Sequence, residues 1–133
     1  MELKLMSGKP VLYPVSRSFT GYEFIRKLRM DDRVKSGFVE DVNITIKDQQ
    51  IYMEKYKDCY RICLLYGKHC GYGGVIDDDI RICTHPDFQG KGVGKFMLSE
   101  IVKIFPSAKG RIKKDNLASI KLFESCGVPY ELI

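Results

Sequence analysis

Three glycines at alternate positions, Gly90, Gly92 and Gly94, stand between a strand-like run and a helix-like run. Such a turn suits an anion, because glycine lets backbone N–H groups turn inward and a helix N-terminus adds about half a positive charge. Spacing narrows the anion-binding family. A Walker A loop needs a glycine five residues before Gly94, where Gln89 stands, and Ser or Thr after the lysine, where Phe96 follows Lys95. A dinucleotide fingerprint G-x-G-x-x-G needs its third glycine at Lys95, and belongs to the first strand and helix of its fold. Both patterns fail on named residues.

Two other groups could do chemistry. Asp77, Asp78 and Asp79 are consecutive, and adjacent carboxylates raise one another's proton affinity; the plain alternative is a solvated acidic turn. Cys83 lies close to the glycine loop. The chain has five cysteines, Cys59, Cys63, Cys70, Cys83 and Cys126, an odd number without C-x-x-C spacing. They read as small core hydrophobes in a reducing compartment. His69 and His85 stand too far from any cysteine pair to suggest a zinc finger, so no metal site is expected.

The residues left standing are Gln89-x-x-Gly92-x-Gly94, preceded by Ile82-x-Thr84-x-Pro86 at a strand end. This resembles the pyrophosphate motif Q/R-x-x-G-x-G/A of the GNAT superfamily of N-acetyltransferases. A second stretch, Asn116-x-x-Ser119-Ile120-x-x-Phe123-x-x-x-Gly127, looks like that family's last helix, which packs near the coenzyme's pantetheine arm. The resemblance implies acetyl-CoA as cosubstrate and a primary amine as acceptor. Ile82 and Thr84 would meet the pantetheine. The amides of Gln89, Gly90, Lys91, Gly92, Val93, Gly94 and Lys95 would hold the pyrophosphate, with Asn116 and Phe123 beside the cofactor. A backbone N–H at Ile82 or Cys83 would meet the carbonyl oxygen. A general base six residues before Thr84 is Asp78, flanked by Asp77 and Asp79. One departure stands out: where many members place a tyrosine as general acid, this chain has Phe123, which has no proton to give. A coenzyme A-binding module impaired in catalysis is therefore the alternative. The stretch from Arg26 to Asp32, with residues 34–38, loosely resembles acetyltransferases acting on amino-sugar nucleotides or protein N-termini.

The elements that must position these residues follow from hydrophobic period and turn chemistry. Residues 11–15 read as an edge strand, because a proline lies inside. Thr20 and Glu23 have capping-box spacing and Phe19 and Phe24 staple spacing, opening a helix over 21–29 with Phe24, Ile25 and Leu28 inward. Residues 45–55 form a second helix, with Tyr52 and Tyr56 four apart. Strands over 60–66 and 70–76 meet at Gly67, and a third over 79–84 follows the acidic turn. A helix carrying Val93, Met97, Ile101 and Ile104 ends before Pro106. A short strand over 109–112 precedes a helix over 117–126, capped by Asp115 or Asn116 and closed by Gly127; residues 128–133 follow. The fold class is α+β, mixed α/β: a GNAT-like mostly antiparallel sheet flanked by about four helices.

At 133 residues, 44% of them hydrophobic, the chain reads as a single domain over 1–133 with enough apolar matter for a core. The first residues lack the apolar run of a signal peptide, and no run reaches the roughly 18 residues of a membrane span, so the cytoplasm is the expected place. The net charge is +5, and residues 91–121 alone carry eight basic against two acidic residues, or +6. A basic stretch beside a glycine loop suits a phosphate-bearing ligand. Nucleic acid is not expected as a partner, since no aromatic-rich strand signature accompanies the charge. A homodimer is compatible with the sequence.

Overall fold

A computed structural model describes residues 8–17, 20–35, 37, 38 and 43–133. Strands β1 (Val11–Pro14), β2 (Tyr60–Leu65), β3 (Lys68–Ile76) and β4 (Asp79–Thr84) form one antiparallel sheet in that order. Strands β5 (Gly110–Ile112) and β6 (Tyr130–Leu132) form a separate parallel pair. Helices α1 (Gly21–Arg29), α2 (Asp32–Lys35) and α3 (Ile46–Tyr56) precede β2; α4 (Val93–Ile104) and α5 (Leu117–Cys126) flank β5. The expected mixed α/β fold with an antiparallel sheet is the one observed, with β1 at the sheet's edge.

Two hairpin turns set the register. Tyr66 and Gly67 connect β2 to β3 with φ of 54° and 73°, and Asp77 and Asp78 connect β3 to β4 with φ of 51° and 63°. Consecutive left-handed residues give the two-residue turn whose twist matches the strands, and aspartate tolerates that conformation better than most residues. The second turn pairs Ile76 with Asp79, Gly74 with Arg81 and Tyr72 with Cys83 on one face, and Val75 with Ile80, Gly73 with Ile82 and Gly71 with Thr84 on the other. The first face packs Tyr72 and Ile76 with Tyr60 and Ile62 against Ile25, Leu28 and Met53 of α1 and α3. The second meets α4 through Val93, Met97, Leu98 and Ile101. Gly71 keeps α4 close: a methyl there would lie 2.7 Å from the Met97 terminal carbon.

A bulge corrects the simple alternation of β3. Cys63 pairs with Gly71 but Leu64 with His69, leaving Cys70 as the extra residue. Cys70 thereby joins the Met97 cluster, while His69 turns to Phe24 of α1, ring centroids 5.0 Å apart.

The caps differ in part from expectation. At Thr20 no side-chain cap bond forms; the residue has φ −109° and ψ 7°, not the extended backbone of a capping residue. Glu23 instead takes the guanidinium of Arg26, Nε at 3.0 Å from both carboxylate oxygens, a charge-assisted bond that outcompetes a neutral amide. Phe19, its proposed staple, lies outside the described residues. The capping box that does form is Thr45 with Asp48, opening α3. Asn116 caps α5, its Oδ1 accepting from the Ser119 N–H at 3.2 Å, and Gly127 ends that helix in the left-handed region.

Candidate functional site

The glycine loop opens α4. Gly90 and Gly92 have φ of +78° and +79°, where L side chains rarely go, and nothing lies within 4 Å of a methyl at either. The strain of a side chain there would thus come from the backbone alone. Gly92 is the helix N-cap, its carbonyl accepting the Phe96 N–H at 3.0 Å. The first-turn amides of Val93, Gly94 and Lys95 therefore have no earlier carbonyl inside the helix. Gln89, Gly90, Lys91 and Lys95 are exposed, while Val93 is buried and anchors the turn to the core.

Beside the loop, the outer edge of β4 is paired among the described residues only at Asp79. Ile80 N–H donates to the Lys109 carbonyl at 2.9 Å, and Lys109 N–H to the Asp78 carbonyl at 2.9 Å. These bonds join β4 to the β5 side through the one bridge between Asp79 and Lys109. Because Ile80 points its backbone groups away from β3, alternation sends those of Ile82 and Thr84 the same way. His85 confirms the phase from the other side, its N–H reaching the Cys70 carbonyl of β3 at 2.8 Å. The N–H and C=O groups of Ile82 and Thr84 thus face the gap between β4 and β5. Thr84 also abuts α4: a methyl at Gly94 would meet its Oγ1 at 3.3 Å. The structure brings Ile82, Thr84 and residues 89–95 to one end and one edge of β4.

The acidic residues occupy the strand's other end. Asp77 and Asp78 are exposed in the turn. Asp79 is half-buried on the face of α1 and α3, 3.7 Å from Arg81 Nε. Burial pushes its carboxyl above the ordinary aspartate range, against the pull of Arg81 and Arg111. Arg81 itself was not singled out by sequence, although it is two residues from Asp79 on a period-two strand. It leans on the Tyr52 hydroxyl at 3.5 Å, and that hydroxyl shares a 2.7 Å hydrogen bond with Tyr60.

Cys83 pairs with Tyr72, and burial pushes its thiol up to about 12. A thiol so hard to ionise is a poor nucleophile. Asn116 is occupied in capping α5 and its Nδ2 lies 3.2 Å from where a methyl of Gly37 would be. Phe123 is buried, 3% exposed, under β5: a methyl at Gly110 would come within 2.5 Å of its ring. It is a core residue of the face that α5 covers.

A groove of about 230 Å³ unforeseen in the sequence lies between α1 and the ends of β3 and β4, lined by Phe24, Lys27, Leu28, Asp31, His69 and His85. Arg33 holds the Asp31 carboxyl down at about 2 and also reaches Asp87 at 3.3 Å. His85 Nδ1 accepts the Asp87 N–H at 3.1 Å, so its other nitrogen carries the proton of the neutral ring.

Among the described residues, no group of three or more His, Cys, Asp or Glu side chains could hold a metal ion, and no helix is long and apolar enough to cross a membrane.

Comparison with solved structures finds this fold repeatedly. A domain from Methanocaldococcus jannaschii matches with a TM-score of 0.77 at 21% identity, over 90% of this chain and 87% of that one. Spermidine N-acetyltransferase from Vibrio cholerae, solved with CoA and spermine, matches at 0.73 and 16%, over 89% and 79%. A putative acetyltransferase from Salmonella typhimurium, solved with acetyl-CoA, matches at 0.64 and 18%, over 90% and 78%. The comparison with curated proteins finds no match. The family model described as an acetyltransferase (GNAT) domain matches residues 56–127, a span holding the outer edge of β4, the left-handed glycine pair and the Asn116-capped helix. With more than half its length under that model, the chain belongs to the GNAT acetyltransferase family.

Proposed function

We propose that this protein transfers an acetyl group from acetyl-CoA to a primary amine. The observation that carries the reading is the left-handed glycine pair at the start of α4, open to solvent and adjoining the outer edge of β4. The residues fit the cosubstrate: amides of the loop and first helical turn suit a pyrophosphate, Lys91 and Lys95 flank it, and Ile82 and Thr84 offer the alternating donors and acceptors that an extended amide-bearing arm requires. Two structural neighbours carry CoA or acetyl-CoA, which agrees with that fit. When bound, acetyl-CoA supplies the activated acyl carbon.

The chain's own groups have three tasks. The Ile82 N–H faces the gap and is placed to stabilise negative charge on a carbonyl oxygen. Asp79 is the base favoured over Asp77 and Asp78, because it alone of the three is half-buried, and burial raises its carboxyl above the usual range. The acceptor ammonium would give one proton to Asp79, its nitrogen would bond to the acetyl carbon as the carbon–sulfur bond breaks, and a second proton would leave with the coenzyme A thiol. Asn116 caps the N-terminus of α5. The five unpaired thiols agree with a cytoplasmic setting.

Phe123 favours one second reading, a coenzyme A-binding module without turnover, since the position of a proton donor is filled by a buried apolar ring. The basic stretch gives no comparable support to a nucleic-acid reading, because Lys91 and Lys95 sit at the loop while Lys103, paired with Glu100, ends the same helix. Calorimetric titration with acetyl-CoA, followed by thiol release over a panel of amines, tests the proposal. Binding with release supports it; binding without release to any amine supports the module; no binding sinks both.

A further inference from the structure

At the end of β4 away from the glycine loop, four charged side chains gather on one side of the sheet. Asp79 and Arg81 face the side of α1 and α3, as their pairing with Ile76 and Gly74 requires. On β5, Gly110 lies against Phe123 and Ile112 is buried in the same cluster, so Arg111 between them faces the opposite way. Glu131, its register partner on β6, lies 3.7 Å from it. Arg111 stands two residues beyond Lys109, the bridge partner of Asp79, which brings Arg111 and its partner Glu131 to the same end of β4. The group is reachable: side-chain exposure is 23% for Asp79, 38% for Arg81, 46% for Arg111 and 54% for Glu131.

Arg81 is under-satisfied. Its Nε is buried without a hydrogen-bond partner; Asp79 Oδ2 at 3.7 Å is in ion-pair range only. Its Nη1 contact with Tyr52 is at the 3.5 Å limit, and Tyr52 is already committed to Tyr60. The Nε is sealed inside, but the side chain is 38% exposed, and the Nη groups of a planar guanidinium suit a carboxylate. Two positive and two negative charges alternate over the group and sum to zero. A polycation would meet Arg81 and Arg111 as repulsion, whereas a molecule carrying both signs meets a partner for each.

We infer that the acceptor is a small zwitterion of the α-amino acid class, its ammonium on Asp79 and its carboxylate on Arg81. This rests on the acetyl-transfer reading and names the substrate class for that same site. Asp79 and Arg81 come within 3.7 Å at their nearest atoms, close enough for one small molecule to touch both side chains. In the transfer one ammonium proton passes to Asp79, a nitrogen–carbon bond replaces the carbon–sulfur bond, and a second ammonium proton leaves with the coenzyme A thiol. The carboxylate keeps its bonds to Arg81 throughout.

The test compares free amino acids with the amines left when their carboxyl group is removed, plus spermine, by thiol release with saturating acetyl-CoA. The amino acid is expected to exceed its amine in kcat/KM by roughly tenfold to a hundredfold, the worth of hydrogen bonds to a charged group. Arg81→Met should bring that ratio to near one, mainly through KM, with Arg81→Lys restoring part of it. Acetyl-CoA affinity by calorimetry should be unchanged in both. If Arg81→Met fails to fold, as its thermal midpoint reports, Arg111→Met should still lower the ratio. An amine or spermine used as well as the amino acid by the unaltered protein overturns the inference, as does a ratio indifferent to Arg81→Met and Arg111→Met. Acetyl-CoA bound without acetylation of either class also overturns it. Failure to bind acetyl-CoA removes the underlying reading and the inference with it.

Discussion

Gly92→Ala tests whether the loop holds a ligand or merely turns the chain. Gly92 has φ +79° and open space where a Cβ would be, so alanine brings no clash. The cost is the left-handed backbone itself, about 1–2 kcal/mol for an L-residue. That predicts a thermal midpoint lowered by roughly 3–8 °C for a chain of this size. Alanine can relieve the strain by returning φ to negative values, which turns the neighbouring amides away from the ligand. Losing one hydrogen bond to a charged group is worth about 1.5–3 kcal/mol, or roughly 10–100-fold in Kd. Gly127→Ala is the matched control. It has φ +66°, caps α5 in the same region and also has nothing within 4 Å. It should show a similar thermal cost and bind acetyl-CoA as the unaltered protein does. Calorimetric titration and a melting curve on both variants decide the matter. Gly92→Ala binding normally, or Gly127→Ala weakening to the same extent, would refute the phosphate role of the loop.

Asp79→Asn should slow acetyl transfer at least tenfold, by removing the general base, while leaving acetyl-CoA affinity unchanged; an unaltered pH–rate profile would exclude Asp79 as that base. Because burial raises the Asp79 pKa, the folded protein holds its proton to higher pH than the unfolded chain. The stability this gives is full at low pH and fades as pH climbs from the unfolded aspartate value through the raised folded one. The Asn variant should therefore gain on the parent as pH rises through that window, checked by urea unfolding at several pH values. Cys83→Ala should keep most turnover, and iodoacetamide should label Cys83 slowly at neutral pH, since burial pushes its thiol up to about 12; loss of turnover with rapid labelling would restore a nucleophilic role. Phe123→Ala should cost about 3–5 kcal/mol in urea unfolding, as for other buried aromatic truncations, and a loss below about 1 kcal/mol would contradict its place in the core.

Much of this was legible in the sequence, for physical reasons that are local. The start of α4 is encoded by glycines whose positive φ few other residues adopt, and its end by Pro106. Asn116 and Gly127 bracket α5 by capping chemistry that spans a few residues. Thr20 shows the limit of such signals: the spacing of a capping box was present, but the bond of Arg26 to Glu23 took the needed carboxylate.

What the sequence by itself determined is therefore the menu of elements, the glycine loop at the start of α4 and the family. Each is written in residues near one another along the chain. Tertiary structure alone decided which groups meet. The bulge at Cys70 sent His69 to Phe24, the Asp77–Asp78 turn gave Asp79 and Arg81 their shared face, and among the described residues the outer edge of β4 is bridged only at Lys109. A one-residue change of register turns every side chain to the other face. The partners of Asp79 and Arg81 come from α3, β5 and β6, tens of residues away, and no local spacing records their meeting.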